Sequence, residues 1–185
     1  MTAEQIKKLI AEGEGYTVEF KKNTNELNHD VFETVASFSN RYGGHIILGV
    51  DDHGEVLGVN RNAAPNIKKN FINQLNNPNF IVPSLFLTLE DVEVDGKLVL
   101  YIFVPETSQL VIFGGKIYDR AGDADIDITR SADLITNLAR RKTLEYTERQ
   151  VFPYATEADL RLGELMPKVR NMASRRIDHP WLRMT

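Results

Sequence analysis

The dipeptide Asp95-Gly96 stands between two apolar runs, Leu85–Val94 and Lys97–Val104. It reads as a two-residue hairpin turn, because both positions of such a turn must tolerate positive φ. Gly114-Gly115 repeats the signal between the runs Leu110–Phe113 and Lys116–Arg120. Two tight hairpins force antiparallel neighbours, so an all-parallel doubly wound sheet is excluded. Further strands are expected where Thr17–Lys21 alternates and where His45–Val50 runs apolar, the latter turning at Asp51–Gly54 and returning over Glu55–Val59 as a hairpin partner. Helical spacing joins Ile6, Leu9 and Ile10 ahead of Gly13 and Gly15, and Val31, Val35 and Phe38 within Asp30–Arg41, where Asn28 is a candidate cap. Ile67, Phe71, Ile72 and Leu75 share one side of a helix over residues 62–76, and a last helix is expected over Asp133–Arg141. The fold class is therefore α+β: a mixed β-sheet with several hairpins and helices packed on its faces.

A chain of 185 residues is long enough for one substantial core and an appended segment. The texture divides it into a domain over residues 1–142 and a helical extension over 143–185. That extension reads as a linker toward a C-terminal module beyond the chain's end, with helices around Glu157–Leu165 and Lys168–Arg175. There is no cysteine, which removes disulfides, thiolate metal sites and a cysteine nucleophile. The first residues are charged and amphipathic, without the apolar core of a signal peptide, and no run reaches the length of a spanning helix. A cytoplasmic protein with no membrane partner is expected. The formal net charge is −4, unlike the basic balance of many nucleic-acid binders, but it is unevenly spread. From Arg140 onward ten Lys/Arg oppose six Asp/Glu, a net of +4, which leaves −8 on residues 1–139.

Several residue groups suggest chemistry. In a strand, Glu19 and Lys21 share one face and Phe20 the other, so Phe20 is read as core and the charged pair as surface. Glu14 lies close enough to swing beside Glu19, while Asp51 and Asp52 lie where the apolar strand meets its turn. Three carboxylates and a lysine converge if the two strands are neighbours, an oxygen set suited to Mg²⁺ or Mn²⁺. The simpler reading makes Glu19 and Lys21 a surface pair and Asp51-Asp52 turn chemistry. Arg120 either contacts phosphate or pairs with Asp119 or its neighbours. Asn40 and Gly43-Gly44 are read as structural, ending a helix and permitting the turn into a strand. Asp123, Asp125 and Asp127 alternate without the glycine and terminal glutamate of a calcium loop, and are read as a solvated loop. A P-loop is excluded, because Val50 and Asp51 follow Gly49 where Lys and Ser/Thr are required. The four histidines show no ligand spacing, and no serine sits in a nucleophile elbow.

The order of these blocks resembles the Schlafen-type AlbA-like domain of bacterial transcriptional regulators, also labelled divergent AAA or RecG-related. Its pattern is an acidic residue, E-F-K, A-F-x-N-x-x-G-G, a hydrophobic strand ending G-V-D-D, and a later Y-x-R. Here these are Glu14, EFK at 19–21, ASFSNRYGG at 36–44, HIILGVDDHG at 45–54 and IYDR at 117–120, within residues 10–142. The resemblance implies a DNA- or RNA-binding domain of a transcriptional regulator, with Lys21, Arg41, Arg120 and the basic tail as phosphate contacts. It also implies an alternative, a metal-dependent endoribonuclease. In that reading Glu14, Glu19 and Asp52 hold Mg²⁺ or Mn²⁺ as the catalytic set, Asp51 is a less favoured substitute for Asp52, and Lys21 steadies the phosphate. A third reading is a ligand-sensing or assembly domain acting as a homo-oligomer.

Overall fold

The computed structural model describes residues 1–143. The expected C-terminal extension, residues 143–185, lies outside the described residues apart from the backbone of Thr143, which closes the last helix. The elements run α1 (Ala3–Glu12), β1 (Val18–Lys21), α2 (Asp30–Asn40), β2 (Gly44–Leu48), α3 (Ala64–Leu75), β3 (Ile81–Val82), β4 (Leu89–Val94), β5 (Lys97–Val104), β6 (Ile112–Phe113), β7 (Lys116–Ala121), β8 (Ala124–Asp127) and α4 (Ala132–Thr143). The fold is α+β, with the strands divided between two four-stranded sheets, β1-β2-β5-β4 and β3-β6-β7-β8.

The first sheet is mixed. β1 and β2 are parallel, joined through α2 as a crossover, and β2-β5-β4 are antiparallel. Asp95 and Gly96 take φ of 51° and 79°, the double positive φ that closes the β4-β5 hairpin. Period-two alternation gives this sheet two apolar faces. Val18, Phe20, Ile47, Val92, Val94, Val99 and Tyr101 meet Ile6 of α1 on one side. Ile46, Leu48, Leu98, Leu100, Ile102 and Val104 meet α2 and α3 on the other.

α2 is buried nearly all round. Every residue from Val31 to Asn40 except Glu33 is inaccessible, the mark of a helix enclosed between layers. Its apolar residues Val31, Phe32, Val35 and Phe38 join the cluster beneath the first sheet. Its polar residues are held by the second sheet. Thr34 Oγ1 donates to Asp125 Oδ2 at 2.6 Å, and Ser37 Oγ donates to Asp125 Oδ1. Asn40 Nδ2 donates to the carbonyls of Val111 and Tyr118, and its Oδ1 accepts from Val111 N, each at 2.8 Å. Three groups of one buried amide are thereby satisfied, locking the end of α2 to β7 and to the entry of β6.

Several expectations shift. The cap of α2 is His29, with no side-chain cap bond, rather than Asn28. The return of Glu55–Val59 shrinks to a single bridge between Val50 and Val56. The strand expected from Leu85 begins at Leu89, and Phe86 is 91% exposed. Ile67, Phe71 and Leu75 are core, whereas Ile72 is exposed. Asp123–Asp127 is not a solvated loop: residues 124–127 form β8, an edge strand whose Asp125 faces inward to α2 and β7.

Gly43 follows α2 at φ 71°, with Val104 O only 2.6 Å from where a Cβ would stand. Gly114 also has positive φ, at 56°, but nothing lies within 4 Å of its Cβ position. Gly43→Ala is therefore expected to cost about 2–4 kcal/mol, combining left-handed strain with overpacking. Gly114→Ala is expected to cost only about 1–2 kcal/mol, from the strain alone. Urea unfolding of the two variants beside the parent checks the difference.

Candidate nucleic-acid interface

β1 is an edge strand, so its outward backbone groups need partners other than another strand. Glu14 supplies one, its Oε1 accepting from Phe20 N at 2.9 Å. Gly15 N donates to the outward carbonyl of Val18 at 3.0 Å. Arg120 closes the same edge. Its Nε and Nη2 donate to Gly15 O at 3.1 and 2.8 Å, and Nη2 also reaches Val18 O at 3.5 Å.

Arg120 is 1% exposed and sits opposite Asp125 in the β7-β8 register. Nη1 donates to Asp125 Oδ1 at 2.8 Å and Nη2 to Glu19 Oε2 at 2.5 Å, while the guanidinium lies 4.8 Å over the Phe38 ring. Burial works against its charge, and Glu19 and Asp125 outweigh that, holding the guanidinium protonated. The Glu19–Lys21 face is thus not a surface. The parity of the strand holds, but this face is roofed by β7, and Glu19 is 6% exposed. Glu19 Oε1 accepts from Lys21 Nζ at 2.7 Å, and Lys21 also pairs with Asp30 at 3.3 Å.

The residues expected to form the site are therefore distributed as follows. Glu14, Glu19, Lys21 and Asp52 share one electrostatic neighbourhood. Burial raises the Glu14 carboxyl above its ordinary value, the Phe20 N–H opposes this, Glu19 and Asp52 add to it, and Lys21 opposes it. Asp52 is exposed and 3.5 Å from Lys22 Nζ. Asp51 acts in the turn, its Oδ1 accepting from His53 N and Glu55 N, which lowers its pKa. Both oxygens of Glu19 are taken by cations, and among the described residues no three His, Cys, Asp or Glu side chains are placed to hold a metal ion. The arrangement does not fit a divalent cation.

Arg120 presents nothing to solvent, so the cations at the surface are different ones. Arg41 Nη1 and Arg141 Nη2 share Asp119 Oδ2 at 3.1 and 2.8 Å. Lys142, beside Arg141 in the basic last turn of α4, donates to Ser39 O at 2.8 Å and Thr107 O at 2.7 Å. The Arg41 guanidinium lies 5.2 Å over the ring of Tyr42, which meets Tyr16 edge-on at 6.3 Å between centroids. Of this group sequence reasoning picked out Arg41 and, within the basic tail from Arg140 onward, Arg141 and Lys142, but neither tyrosine. The signal for the tyrosines was weak: Tyr42 stands at an unspecified position inside ASFSNRYGG, and Tyr16 between Glu14 and the E-F-K strand.

The Schlafen, AlbA_2 family model matches residues 14–129. The chain belongs to that family. The match spans Glu14, the E-F-K strand, α2 with Gly43-Gly44, and the β7-β8 hairpin bearing Arg120 and Asp125. Among solved structures, the chain is similar to the DIP2311 protein from Corynebacterium diphtheriae at 18% identity and TM-score 0.49, covering 67% of this chain and 29% of that one. It is also similar to the N-terminal domain of a putative ATP-dependent DNA helicase RecG-related protein from Nitrosomonas europaea. That likeness is at 23% identity and TM-score 0.44, covering 58% of this chain and 74% of that one. The chain thus spans less than a third of the first of these. No curated protein matches. Among the described residues no helix is long and apolar enough to cross a membrane.

Arg120→Met strands Glu19 and Asp125 without their shared buried cation, and is expected to destabilise the domain by about 3–5 kcal/mol in urea unfolding. Arg120→Lys is expected to rescue little, since one ammonium cannot reproduce the forked contacts to two carboxylates and Gly15 O.

Lys142 gives a pH test. Burial lowers its pKa to about 8 from 10.5, with Glu106 and Asp119 opposing and Arg141 assisting. Between those values the unfolded chain binds the extra proton, so stability conferred at this position rises with pH. The stability of the parent relative to Lys142→Met is expected to climb from pH 8 to pH 10 and to be flat from pH 6 to pH 7. Denaturant titrations of both proteins across that range read it.

Proposed function

We propose that this is a nucleic-acid-binding domain of a cytoplasmic transcriptional regulator. The observation that carries the reading is the cluster of Arg41, Arg141 and Lys142 around Asp119, a local excess of cations in a chain whose net charge is −4. Family membership points the same way, through the regulators this chain resembles. In an acidic protein, phosphate must be drawn by such a local group rather than by the overall field. Lys21 is less suited, because its ammonium is already shared between Glu19 and Asp30. Arg120 serves the interface indirectly, by fixing the backbone at Gly15.

Metal-dependent cleavage at Glu14, Glu19 and Asp52 is the less favoured reading, because Lys21 and Arg120 already hold both oxygens of Glu19.

Binding to labelled DNA and RNA is expected at low salt and is expected to weaken steeply as salt rises. Arg41→Ala is expected to lower affinity across all sequences and to reduce the salt slope by about 1. Absence of binding to either nucleic acid at low salt, or an unchanged slope in Arg41→Ala, overturns the assignment.

A further inference from the structure

Tyr16 and Tyr42 are half exposed, at 49% and 53%, yet their backbones are firmly held. Tyr16 lies between Gly15, whose carbonyl is clamped by Arg120, and Thr17, whose carbonyl accepts from His45 N at 2.8 Å. Tyr42 lies between Arg41 and Gly43, both of whose N–H groups donate to Phe38 O, at 3.0 and 2.8 Å. Exposed rings scattered singly need no explanation. These two are in contact, one carries a guanidinium on its face, and a second guanidinium is joined to the first through Asp119.

We propose that Tyr16 and Tyr42 form a stacking platform for the unpaired bases of a single-stranded nucleic acid, with Arg41 and Arg141 taking the adjacent phosphates. This rests on the nucleic-acid reading given above and narrows it to the single strand. The chemistry selects that ligand over a duplex because only an unpaired base offers a free π-face, and a duplex buries those faces in its own stack. It selects a polyanion over an apolar peptide because the rings are flanked by two guanidiniums sharing one carboxylate, a pairing that leaves a net positive charge. Rings set on fixed backbone lose little entropy when a base settles on them, the condition for a platform rather than a loose contact.

The test uses the full chain at low salt with three fluorescent probes of equal length: oligothymidylate, an abasic strand and a duplex. Oligothymidylate is expected to bind more tightly than either of the others. Tyr16→Ala and Tyr42→Ala are each expected to weaken oligothymidylate at least about fivefold, and to leave the abasic strand and the duplex unchanged. Tyr16→Phe and Tyr42→Phe, which keep the ring, are expected to retain affinity. Phe86→Ala removes a still more exposed ring elsewhere and is expected to have no effect. Equal binding of single strand, abasic strand and duplex, indifferent to the tyrosines, overturns the platform while leaving the nucleic-acid reading in place. No binding of any probe overturns the nucleic-acid reading itself. Unchanged melting temperatures in the tyrosine variants distinguish lost stacking from lost fold.

Discussion

One guanidinium ties this fold together. Arg120 is fully enclosed, and its charge is tolerable only because Glu19 comes from the first sheet and Asp125 from the second. The two sheets therefore depend on each other at this point. Separated, the second sheet would leave Arg120 with Asp125 alone, and the first would leave Glu19 with Lys21 alone. α2, trapped between them, follows from the same constraint. Its polar residues Thr34 and Ser37 complete the shell of Asp125, and its Phe38 ring supplies the surface on which the guanidinium lies. Such a pairing contributes less to stability than an apolar core of equal volume would. It does fix which strand lies opposite which, since displacing β8 by one residue would turn Asp125 away from Arg120.

What the sequence made legible divides along the same line. Local chemistry was readable. Asp95-Gly96 closes a hairpin because of its own φ preferences, β5 begins and ends where its apolar run does, and Gly13 stops α1. The parity of Glu19 against Phe20 was also local, and it holds. The covering of the Glu19 face was not readable, because the roof comes from a residue 101 positions further along the chain. Asp125 shows the difficulty most clearly. Its alternation with Asp123 and Asp127 is the period of a strand, but three acids in a row of alternates look solvated unless their partner is known, and the partner is a buried arginine on the neighbouring strand. Likewise the two-residue strand β3 carries too few residues for any periodicity to announce it, whereas β6, equally short, was marked by the Gly114-Gly115 turn that follows it.

The candidate site was legible as a set of positions and not as a set of roles. Glu14, Glu19, Lys21 and Asp52 do share one neighbourhood, yet Glu14 covers an open strand edge and Glu19 is held by two cations. The arginine of the Y-x-R motif is the inverse case. It was expected among the phosphate contacts and lies in the core, where its effect on the surface is exerted through backbone. By gripping Gly15 O it fixes the turn on which Tyr16 stands, while Gly43, pressed against Val104 O, fixes the turn that carries Tyr42. Motif residues that never meet solvent thus determine where exposed side chains that the motif leaves unspecified are held. In the proposed binding of an anion by this acidic chain, neutralisation need only be local: about 8–10 Å of separation suffices for salt to screen the remaining carboxylates from a phosphate beside Arg41 and Arg141.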